Sequence, residues 1–110
     1  MNDLMQMMQE ALSDLDKSMR LLRKHGEELA QAEHDYQVTK AQTVLVMKSN
    51  GCPVTEISMS IKGQPQVAEA MLKRDIAKTI YEANQEHINV KKLEVRVIEN
   101  QIAREWGANG

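Results

Sequence analysis

The stretch that decides the fold is SNGCPVTEISMSIKGQPQVAEAMLKRD, residues 49–75. It separates two long runs of helix-forming sequence. It carries Gly51 and Pro53, a short run from Val54 to Ile61 with apolar residues at helical spacing, and then Gly63 and Pro65. Two readings compete for it: a helix-turn-helix that reads DNA, or the bend of a helical hairpin.

The DNA-reading motif buries a small residue four positions before its turn glycine and an apolar residue immediately before that glycine. Those positions hold Met59 and Lys62. An apolar residue should follow the turn, but Gly63 is followed by Gln64 and Pro65. The recognition helix would open Q-V-A-E-A, with Glu69 toward the phosphates. The bend reading fits better. Gly51 and Pro53 end the first helix, Thr55 caps a short one to about Lys62, and Gly63 closes it. Ile57 and Ile61 then form one small apolar stripe, a docking surface if it faces solvent. The competing class is a DNA-binding regulator using residues 55–74, with Lys73 and Arg74 as its nucleic-acid contacts.

Upstream, from Asn2 to about Lys48, there is no Pro and one Gly, and good helix formers dominate. Asn2 or Asp3 caps the start. Met8, Leu12, Leu15, Met19, Leu22, Gly26 and Leu29 follow a 4-3-4-3 rhythm, the seam of a coiled coil or long hairpin. Gly26 costs about 1 kcal/mol against Ala in mid-helix. Either backbones approach closely there or the helix bends, and the His25-Gly26 step is the expected kink. An unbroken helix of this length would run about 70 Å. It therefore kinks or lies against an equally long partner.

Downstream, Pro65 suits a first helical turn, no further Gly or Pro occurs before Trp106, and Gly107 supplies the stop. Ile76, Ala77, Ile80, Tyr81, Ile88, Val95, Ile98, Ile102 and Trp106 share one helical face. Leu72, Ala83, Val90 and Val97 widen it beyond the roughly 100° stripe that packing on one neighbour requires. The excess implies a second contact surface, on which Val90 and Val97 are the candidate residues. Residues 1–36 hold eight acidic against four basic side chains, and residues 62–104 six against eight. The two halves therefore attract modestly. A turn centred near Ile57–Met59 would place Tyr36 near Tyr81.

At 110 residues and 27% charged, with 42% hydrophobic residues, the chain fits neither the disordered nor the membrane class. Phe is absent and Met occurs eight times, so aliphatic helix seams make the core. The net charge of -2 argues against a strongly basic nucleic-acid binder. The N-terminal MNDLMQMMQEAL is acidic where a leader carries Lys or Arg, and a cytoplasmic protein is expected. Cys52 stands alone beside Pro53 with no nearby His, as a bystander thiol rather than a nucleophile. Glu33, His34 and Asp35 are consecutive, so on a helix they diverge by about 100° each rather than converging on a metal. No catalytic constellation, cofactor motif or phosphate loop is present, so a non-enzyme without cofactor is expected.

The segment AQAEHDYQVTKAQTVLVMK and the later EAMLKRDIAKTIYEANQEHINVKKLEVRVIENQIAREW resemble small uncharacterised helical proteins encoded by phages and prophages of Gram-positive bacteria. The shared features are an A-E-x-x-Y segment, a following E-A-x-x-x-x-D and a coil-like last helix, over Ala30 to Trp106. The Gly/Pro-punctuated middle is longer here. The resemblance implies a phage setting and transfers no functional residues.

The sequence thus predicts a single all-α domain over 1–110, with two long antiparallel helices over about 3–48 and 65–106 and a connector over 49–64. It predicts a homodimer that acts by binding and occluding a host or phage protein, through Ile57, Ile61, Val90 and Val97.

Overall fold

The computed structural model describes residues 2–109, and side-chain surroundings for residues 3–107. All regular elements among them are helical. They are α1 (Asn2–Ser49), α2 (Val54–Ser60), a 3-10 turn (Ile61–Gly63) and α3 (Pro65–Asn109). The bounds on either side of the connector match the expected ones to within a residue or two, but α3 continues through Gly107, the expected stop, to Asn109, and α1 passes through Gly26 as continuous helix. The side chain of Asn2, one of the two expected caps, lies outside the described residues.

The end of α1 is built by Gly51, at φ 81°, a conformation that costs an L side chain roughly 1–2 kcal/mol. With Gly51 there, its N–H reaches the Lys48 carbonyl and the Cys52 N–H reaches that of Met47, both at 3.0 Å. These two bonds are the Schellman arrangement, which satisfies carbonyls left over at a helix end. The Thr55 expectation is corrected. Pro53, at φ -63° and ψ 148°, is the N-cap of α2 and makes no side-chain capping bond. Its fixed φ sets the chain direction, and Thr55 falls inside the first turn.

Two compact units result: Met1–Lys24 with Glu82–Gly110, and His25–Tyr81. In the first, Asn84 Nδ2 donates to the Ser18 carbonyl at 2.9 Å, and Lys91 Nζ lies 3.5 Å from Asp14. Its buried residues are Ala11, Ser18, Asn84, Ile88 and Ile98. In the second, Gly26 faces the Tyr81 ring, Arg74 pairs with Glu33 at 3.6 Å, and Gln66 donates to Thr43 at 3.3 Å. Within each unit the contacts step forward along α1 as they step backward along α3.

The second unit holds a cluster of Tyr36, Ile61 and Val67, flanked by Val44, Met47, Ala70 and Met71. Its register differs from the expected one: Tyr36 lies under the Arg74 guanidinium, 4.4 Å from its ring centroid, while Tyr81 meets Gly26. The seam of α1 also differs. Ala11 and Ser18 are buried, whereas Leu12 and Met19 are 48% and 52% exposed. A 3-4 and a 4-3 rhythm both make a helical stripe. The smaller residues occupy the inside because helices approach closely only over small side chains.

Candidate protein-interaction surface

The expected docking stripe on the connector is withdrawn by burial. Ile57 and Ile61 are 4% and 6% exposed, and Ile61 belongs to the Tyr36–Val67 cluster. An apolar stripe on a short helix is covered whenever the flanking helices can reach it, since each buried side chain contributes about 1.5–3 kcal/mol. The exposed large apolar residues of α2 are instead Val54 and Met59.

Val90 and Val97 do face solvent, at 52% and 56% exposure. Leu93, which sequence reasoning missed, is exposed between them. Its signal was the 3-4 spacing of residues 90, 93 and 97, which puts all three on one side of α3. The inward side of the same segment is carried by Ile88, Lys91, Val95 and Ile98. This stretch of α3 is therefore apolar on two sides. One is covered within its unit and the other is open.

The residues of the nucleic-acid alternative are placed differently. Arg74 is half-buried, hydrogen-bonds Asp75 at 3.0 Å through its guanidinium and stacks on Tyr36. The bond to Asp75, with Glu33 adding to it, raises its proton affinity further. Lys73 lies 3.5 Å from Glu69. Both cations have intrachain carboxylate partners, and a phosphate would have to compete with those.

A groove in the second unit is lined by Glu28, Asp35, Glu69 and Lys73 with neutral neighbours. Among the described residues no three His, Cys, Asp or Glu side chains converge as metal ligands. Every buried side-chain nitrogen and oxygen among them has a partner. Cys52 is a half-buried free thiol at the end of α1. No helix of the described residues is long and apolar enough to cross a membrane. Comparison with known proteins yields no matching family model, no matching curated protein and no matching solved structure.

Proposed function

We propose that this chain is a non-enzymatic interaction module: an antiparallel helical hairpin, dimeric and cytoplasmic, that binds and occludes a host or phage protein. The observation that carries the reading is the second apolar side of α3, with Val90, Leu93 and Val97 all more than half exposed. Isolated exposed aliphatics are ordinary on a protein surface, but an aligned set on a rigid helix is the geometry of helix-to-groove recognition. The opposed stepping of contacts in each unit supports the hairpin, and the resemblance to phage-encoded helical proteins supports the setting.

A photo-crosslinking residue at position 93 tests this. It should capture a protein other than this chain from the bacterial lysate, and Val90→Glu with Val97→Glu should abolish the capture. Capture that persists unchanged in the double variant, or none from the unaltered face, overturns the reading.

A further inference from the structure

A second open stripe lies on α1 in the first unit. Met5, Leu12 and Met19 are 45%, 48% and 52% exposed. Spaced by seven, they drift only about 20° per step around a helix and form one line. The line lies beside the covered seam of Met8, Ala11, Leu15 and Ser18. Its pattern, M-x6-L-x6-M, reads the same in both directions.

We propose that this stripe is the homodimer surface, two copies of α1 crossing antiparallel with their two-fold axis at Leu12. The proposal deepens the interaction-module reading and rests on it for the dimer itself. About such an axis Leu12 meets Leu12, and Met5 of each copy meets Met19 of the other. A two-fold interface must be complementary to itself, and this line is.

The charges agree. Beside the stripe, near the axis, stands the neutral Gln9. The nearest charges there, Asp16 and Arg20, are bonded to each other at 3.0 Å. Glu10 and Asp14 sit two residues from Leu12, about 160° around the helix, and face away. Residues 17–24 hold four bases and no acid. Parallel pairing would set this block against its own copy, whereas the antiparallel axis carries the two blocks to opposite ends of the contact.

The three side chains supply roughly 300 Å² of apolar area, which at the usual apolar share of an interface means about 500 Å² per copy. A standard interface needs roughly 800 Å² per partner, so this is a small interface of the weak, reversible kind.

The test uses single cysteines in a Cys52→Ser chain. Leu12→Cys should link to itself on oxidation, because the axis brings two such residues within a disulfide's reach. Met5→Cys alone and Met19→Cys alone should not, since positions 5 and 19 lie about 21 Å apart along the helix. The two mixed together should cross-link. Leu12→Glu should render the chain monomeric by sedimentation at concentrations where the wild type is dimeric, with its helical circular dichroism retained. Self-linking of Met5→Cys would show parallel pairing and overturn the proposal. So would a wild type that sediments as a monomer up to about millimolar concentration, or a dimer lost in Val90→Glu/Val97→Glu but kept in Leu12→Glu. Failure of the partner-capture experiment with the Leu12→Cys link intact would sink the occlusion reading and leave this one standing.

Discussion

Gly26 shows how one residue can look like a break and act as a contact. A Cβ built there would come 3.3 Å from the Tyr81 ring, tighter than ordinary packing yet against a half-buried side chain that can yield. Two effects oppose each other on replacement. Alanine gains about 1 kcal/mol of helix propensity, and crowding of the ring removes much of it. Gly26→Ala should therefore change unfolding free energy by less than about 1 kcal/mol, while Gly26→Leu should lose about 1–3 kcal/mol through overpacking. In a Tyr81→Ala background, Gly26→Ala should recover the full propensity gain. Urea denaturation of the four chains checks this, and independent effects at the two positions would rule out the contact.

At the scale of the elements, the connector is set by its ends. Pro53 starts α2 and Gly51 ends α1, and burial of Ile57 and Ile61 holds what lies between. Gly51→Ala keeps every side-chain contact but forces an L residue into the left-handed region, so it should cost about 1–2 kcal/mol. Asn at the same position should cost less, since it tolerates that conformation better. Thermal melts of the two variants give the order, and equal losses would point to a role other than backbone conformation. The end of α1 and the start of α3 were legible because Gly, Pro and helix formers act locally, whereas Gly107 did not stop α3. Which stripe of α1 points inward was not. Leu12 and Met19 outrank Ala11 and Ser18 in hydrophobicity, but inside and outside are decided by how near the neighbouring helix comes.

At the scale of the whole molecule, the opposed charge balance of the two halves takes form in cross-helix pairs: Lys91 with Asp14 in one unit, Arg74 with Glu33 in the other. The Lys91 ammonium is held above its ordinary 10.5, mainly by its hydrogen bond to Glu94 and secondarily by Asp14. A raised folded value means the stabilisation is complete below about 10.5 and fades as the pH climbs through the raised value. The melting temperature of the wild type should thus exceed that of Lys91→Met at neutral pH. On raising the pH from neutral the gap should close only in the alkaline range, while added salt shrinks it. A gap that closes between neutral pH and about pH 9 would contradict the assignment to Lys91.

By itself the sequence determined the helical class, the end of α1 and the start of α3 around the connector, and the open second side of α3 at Val90 and Val97. Each follows from local propensity or from the period of one helix. Tertiary structure alone decided that Ile57 and Ile61 are covered, that Arg74 rests on Tyr36, and that α1 turns Ala11 and Ser18 inward. Those depend on the register between segments distant in the chain, and no single segment encodes how closely another will approach it. Leu12, displaced from the expected seam, is for that reason left on the open side of α1.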